Sequence, residues 1–277
     1  MSVTQGGPAY FERLIDAFCA GQGSRSAHLG HWDTAVSEGA GIGADEFAAA
    51  QQRLTEQMIS RASLSGRERI LDVGCGLGGL LEQVDALMAG AVLTGVNIDW
   101  QQLEICQQLR SRHSNTFRWL EADACDLPFD DASFDVLFCV EAMFHFSSRK
   151  RFLAEAWRCL VPGGRLVVSD FVITADNSLP GFAIAAVLQD GYGPWPDPWC
   201  EEGTAADLLR GDHWTGIDVT DATQATLPSY QFVAPSQWKQ SSTGDADAAT
   251  RSVLMLQWLQ QRDYLRYEYI TAVKGAV

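Results

Sequence analysis

No stretch of this 277-residue chain approaches the roughly 18 consecutive apolar residues of a membrane span, and Met1 to Pro8 lack the basic and apolar regions of a secretory signal. Both absences predict a soluble, cytoplasmic protein. Basic residues are scarce. Twenty Lys and Arg against 35 Asp and Glu give a net charge of −15, which repels a phosphate backbone instead of gathering it in. Nucleic acid and membrane are thus not expected partners, and a homodimer stays open. CxxC pairs are also missing. The seven cysteines (19, 75, 106, 125, 139, 159 and 200) are odd in number and mostly sit in apolar periodic segments, as reduced, buried thiols do. Neither histidines nor carboxylates are spaced as in a metal cage, so no metal is expected. There is no internal repeat, charge run or low-complexity segment.

What is present is globular: 47% hydrophobic and 20% charged residues can bury a sizeable core. Amphipathic spacing predicts helices over 8–20 and about 45–62. From residue 69 short apolar runs (70–73, 92–97, 117–121, 136–140, 166–171) alternate with helical patterns (79–88, 101–112, 149–160). That alternation predicts a doubly wound α/β fold with a mostly parallel sheet. It breaks after Phe171 into a Pro-, Gly- and Trp-rich stretch containing Gly193-Pro194-Trp195-Pro196-Asp197-Pro198-Trp199, which reads as a helical lid insertion after strand five. Strands at 214–219 and 267–273, around a helix at 246–266, complete a seven-stranded, Rossmann-like sheet.

The sequence Asp72-Val73-Gly74-Cys75-Gly76-Leu77-Gly78-Gly79 closes the first strand and opens a helix. Glycines there permit a tight turn and let a ligand approach backbone N–H groups. Alone it also fits a dinucleotide site, and hence a nicotinamide-dependent oxidoreductase. The neighbouring segments favour another reading. Asp72 to Gly78, Val96-Asn97-Ile98-Asp99, Glu121 to Phe129, Ala132 to Asp135 and Leu160 to Leu166 together resemble the class I S-adenosylmethionine (SAM)-dependent methyltransferases. The resemblance covers about 70–172 and points to the small-molecule branch, including UbiE-like and natural-product sugar O-methyltransferases.

That likeness implies SAM as cofactor, S-adenosylhomocysteine as its product, and a single methyltransferase domain. Residues 1–65 would form an N-terminal helical cap, 66–172 the SAM-binding core, 173–213 the lid, and 214–277 the rest of the sheet and the acceptor pocket. Implied cofactor residues are Asp72, Gly74, Cys75, Gly76, Gly78, Asn97, Ile98, Asp123 and Ala124. Asn97 stands where the family usually has a ribose-binding acid. Asp99 either replaces that acid or caps a helix, with Gln102 completing a capping box. Asp123 can accept the adenine amino group or remain a solvated loop acid. Glu141 either meets the methionine end of the cofactor or simply ends its strand. The segment His28-Leu29-Gly30-His31-Trp32 resembles one that folds over cofactor and substrate in this superfamily. Trp32 would then lie near the sulfonium, and His28 and His31 near the acceptor, His28 or His31 being available as a second base; a surface turn anchored by Trp32 is the other reading.

For catalysis, His145 follows the fourth strand and Asp170 ends the fifth, both at the carboxyl edge where ligands bind. Adjacent strands would let Asp170 orient His145 as general base for a hydroxyl, a pairing that resembles small-molecule O-methyltransferases. Phe144, Trp195 and Trp199 either wall the acceptor or pack the lid. Methylation of carbon or nitrogen by proximity alone, and a SAM-binding cyclase or scaffold of the same fold, remain alternatives.

Overall fold

The structure is a computed structural model that describes residues 9–21, 23–34, 36, 41–174, 181–211, 213–233 and 248–275. The strands are β1 (Arg69–Val73), β2 (Val92–Asn97), β3 (Thr116–Glu121), β4 (Phe134–Val140), β5 (Leu160–Ile173), β6 (Trp214–Asp221) and β7 (Leu265–Lys274). They form one seven-stranded sheet in the order β3-β2-β1-β4-β5-β7-β6. β1 to β5 run parallel, while β7 is inserted antiparallel between β5 and β6.

Alternate residues of the central strands feed two cores. Ile70, Val136, Phe138 and Val167 pack into one face, and Leu71, Leu137, Cys139, Leu166 and Val168 into the other. Burial on both faces is why these strands read as continuous apolar runs instead of alternating ones.

The long helices are α1 (Ala9–Cys19), α2 (Ala44–Ala62), α3 (Gly79–Leu87), α4 (Trp100–Cys106), α5 (Arg149–Cys159), α6 (Gly181–Tyr192) and α7 (Ala205–Gly211). Short α8 (Thr223–Thr226) and α9 (Tyr230–Val233) precede α10 (Ala248–Gln261). Side chains set several of the starts: Ser148 accepts from Arg151 N–H before α5, and Asp99 from Gln101 N–H before α4. The capping reading of Asp99 therefore holds, although Gln102 donates to its carboxylate and not to the backbone.

Two helices end earlier than their patterns predict. α4 stops at Cys106 instead of continuing to 112, since the Ser111 hydroxyl accepts from His113 and Asn115 N–H and turns the chain toward β3. α10 stops at Gln261 instead of 266 because Asp263 takes a left-handed conformation and Tyr264 N–H returns to the Leu259 carbonyl. Of residues 214–277, expected to complete the sheet and the acceptor pocket, 234–247 and 276–277 lie outside the described residues.

Candidate active site

Strand order reverses between β1 and β4, and in open α/β sheets ligands bind at that switch, outside the strands' carboxyl ends. A cleft of about 320 Å³ opens there. Its floor is Asp72 to Gly76 at the end of β1, Asn97 and Ile98 at the end of β2, and Glu141 and Ala142 after β4. Asp123 and Ala124 border one end, and His145, Phe146, Pro194 and Pro196 the other, with Phe11, Leu14, Arg25 and His28 closing over the top.

The glycine loop is shaped for close approach. Gly74, Gly76 and Gly78 all have positive φ, at 75°, 53° and 84°. A Cβ on Gly74 would lie 2.4 Å from Ala142 Cβ, whereas one on Gly76 would meet nothing nearer than 3.9 Å and would fill cleft space. Gly78 serves packing instead of lining: a Cβ there would sit 3.1 Å from Leu109 and Trp119. The Gly74 and Cys75 N–H groups both donate to the Val96 carbonyl, which fastens the loop to β2. At the rim, Asn97 Nδ2 donates to Gln102 Oε1, and Gln102 Nε2 donates to Asp99, so one buried amide bridges both candidate ribose residues. Gln102 itself borders the cleft. The exposed Asp123 carboxylate accepts from Cys125 N–H.

Glu141 is the most distinctive residue of the floor. It holds φ at +47°, a conformation rare for a non-glycine residue and often found at functional sites. Its Oε1 accepts from Tyr267 Oη at 2.6 Å and from Leu29 N–H at 2.8 Å. Burial pushes its carboxyl up to about 7, against which these two bonds act. Burial likewise raises Asp72 to about 7. Among the described residues bordering the cleft, Asp72, Asp123 and Glu141 are acidic, Arg25 is the one Lys or Arg, and His28 and His145 are kept neutral by burial. Arg25 Nη1 is turned to the carbonyls of Leu77 and Ile105. The site therefore favours a cationic ligand.

At the opposite end His145 Nδ1 lies 2.8 Å from the Pro194 carbonyl. A carbonyl only accepts, so Nδ1 carries the proton and the lone pair of the neutral ring is on Nε2. Burial lowers its proton affinity to about 4.

The structure separates several residues that the sequence groups together. Asp170 does not face His145: it is fully buried and receives Arg149 Nε at 2.8 Å, since the end of β5 points beneath the start of α5. Trp32 lies off the cleft, where its Nε1 donates to Ser229 Oγ and Arg53 stacks on its ring. His31 is directed to Tyr269 Oη at 3.0 Å. Backbone bonds from His31 to Ala50 and from Trp32 to Ala225 wedge this segment between α2 and α8. His28 does border the cleft, but its ring nitrogens are engaged by the Leu29 carbonyl and Thr55 Oγ1, and burial lowers it to about 4. Phe144 and Trp195 are core residues packed at 4.5 Å, and Trp199 packs toward Gly181; none of the three borders the cleft.

Sequence reasoning missed Gln102, Arg25, Tyr267 and Arg149. Gln102 was weighed only as a cap. Arg149 carried one signal, a cation in the first turn of a helix where the dipole disfavours it. Tyr267 carried none.

The family described as "Methyltransferase domain" matches residues 71–168. The chain is 32% identical over 248 residues to O-methyltransferase cnsE of Penicillium expansum, covering 88% of this chain and 84% of that one. It is 31% identical over 224 residues to Methyltransferase GfsG of Streptomyces halstedii, covering 76% and 73%. In fold it is similar to the [4+2]-cyclase SpnF, with a TM-score of 0.70 at 23% identity over 96% of this chain and 93% of that one. The glycine loop at the switch point, the acidic cleft and these relatives agree: the chain belongs to the class I SAM-dependent small-molecule methyltransferases.

Proposed function

We propose that this chain methylates a hydroxyl of a small, largely apolar secondary metabolite, with His145 as the general base. One observation carries the reading: a single cleft joins an acidic glycine-loop floor to an apolar end where His145 stands among Phe11, Leu14, Phe146, Pro194 and Pro196. The relatives named O-methyltransferases support oxygen as the acceptor atom.

The residues present fit the cofactor. Gly76 leaves open the space a Cβ would take, Asn97 and Gln102 offer amides toward ribose hydroxyls, and Asp123 and Ala124 border the adenine end. Asp72 and Glu141 would face the methionine end, where a bound cation favours their ionised forms. When bound, SAM supplies the methyl group on a sulfonium. The chain's own part is to hold the acceptor hydroxyl in line, exclude water and take a proton. His145 is in its base form at neutral pH because burial keeps it unprotonated, and its Nδ1–H bond to Pro194 fixes the ring so that Nε2 is the accepting atom. The segment 173–213, read as the lid, borders the cleft through Pro194 and Pro196.

The test is methyl transfer from SAM with a deuterated methyl group to a panel of neutral phenols and alcohols, with the product identified by NMR. An O-methyl ether is expected. His145→Ala should lower turnover about a hundredfold or more while S-adenosylhomocysteine affinity stays nearly constant. Unchanged turnover would remove His145 from the base role.

A further inference from the structure

Arg149 and Asp170 form a buried ion pair that the proposed reaction leaves without a task. Arg149 is 2% exposed and Asp170 fully buried, with Oδ1 of Asp170 lacking a partner among the described residues. A cation at a helix start is disfavoured, and apolar side chains often replace a buried pair without loss of stability. Its partners explain the arrangement. Arg149 Nε donates to Asp170, Nη1 to the carbonyl of Asp197 at 2.8 Å, and Nη2 to that of Phe171 at 3.4 Å.

Asp197 lies three residues beyond Pro194, whose carbonyl receives His145 Nδ1–H. The interval between them is stiff. Pro194 and Pro196 each fix φ, and Trp195 is fully buried against Phe144 and Phe171. Ser148 extends the clamp by donating to Glu202, while Asp197 accepts from Glu201 and Glu202 N–H. His145 and Arg149, four residues apart, thus grip the two ends of one rigid segment.

We propose that Arg149 and Asp170 are positioning residues that set the placement and tautomer of the His145 ring through the backbone of Pro194–Asp197. Asp170 acts on His145 at second hand, and the lid segment is the connecting part. The proposal builds on the assignment of His145 as base, but its readout does not require methyl transfer.

The experiment is 15N–1H NMR of the histidine rings in the full-length protein, with His145 identified by its loss in His145→Gln. Two variants are compared with the wild type: Arg149→Met combined with Asp170→Leu, which removes both buried charges, and Arg149→Lys, which keeps the ion pair but lacks the second donor to Asp197. The Phe11 and Phe144 rings and the Pro194 carbonyl stand around the imidazole. Both variants should lose the pure Nδ1–H signature, and the His145 titration should move up toward the ordinary value by roughly half a pH unit or more. S-adenosylhomocysteine affinity should stay within about twofold, because the glycine loop lies on another strand. An unchanged His145 spectrum in a folded variant overturns the proposal, as does a shift accompanied by lost cofactor-product affinity, which would mean general damage. If His145→Ala leaves turnover intact while the ring still responds, the base assignment fails and the clamp stands.

Discussion

Glu141→Gln separates the charge of this residue from its hydrogen bonds. Oε1 of the wild-type carboxylate accepts from both Tyr267 Oη and Leu29 N–H, and a glutamine Oε1 can accept the same two. The buried charge is removed, and an amide NH2 takes the place of Oε2. The folded-state value of about 7 exceeds the ordinary 4.5. Between those two pH values the folded chain therefore binds more protons than the unfolded one, and stability falls as pH rises through that window. The full shift corresponds to roughly 3 kcal/mol, and cleft water beside the carboxylate reduces this to about 1.5 kcal/mol. Urea unfolding of both proteins without ligand should show no difference near pH 4 and a growing advantage for the variant, complete above about pH 7. The difference between the proteins is the readout, because Asp72 contributes a slope of the same sign and the lowered His28 and His145 contribute the opposite one. A variant no more stable than wild type at pH 8 would refute the argument that burial, and not hydrogen bonding, dominates at Glu141.

Gly74→Ala places a methyl group 2.4 Å from Ala142 Cβ at a φ of +75°. It should cost about 2 kcal/mol or more and weaken S-adenosylhomocysteine roughly tenfold by displacing the loop, measured by thermal denaturation and calorimetry; full retention of affinity would contradict the close-approach role. Trp32→Phe removes the bond to Ser229 and should lower stability by about 1 kcal/mol while leaving calorimetric S-adenosylhomocysteine affinity unchanged. A tenfold loss of affinity would return Trp32 to the cofactor site.

The sheet was legible because burial on both faces imposes continuous apolar runs, as in Ile70 to Val73 and Val136 to Val140, and parallel strands require the intervening helices. Helix ends were less legible. A local side-chain turn at Ser111 and a left-handed Asp263 overrode otherwise helical patterns. The glycine loop could be read because its need for positive φ leaves few residue choices, and Glu141 and His145 could be placed because both directly follow a strand that ends at the switch point.

What the sequence by itself determined is the chemistry that one segment carries alone: the strand-to-helix turn of Asp72 to Gly78 and the acidic balance. Pairings between distant segments were decided only by the tertiary structure. Asp170 lies on β5 and His145 follows the neighbouring β4, yet Arg149, at the start of the helix between those strands, takes the carboxylate, while the carbonyl of Pro194 takes the ring. Tyr267 reaches Glu141 because β7 is inserted antiparallel beside β5, a placement that no local pattern encodes. Side-chain direction at a strand end depends on what packs above and below it, and that is a property of the assembled layers.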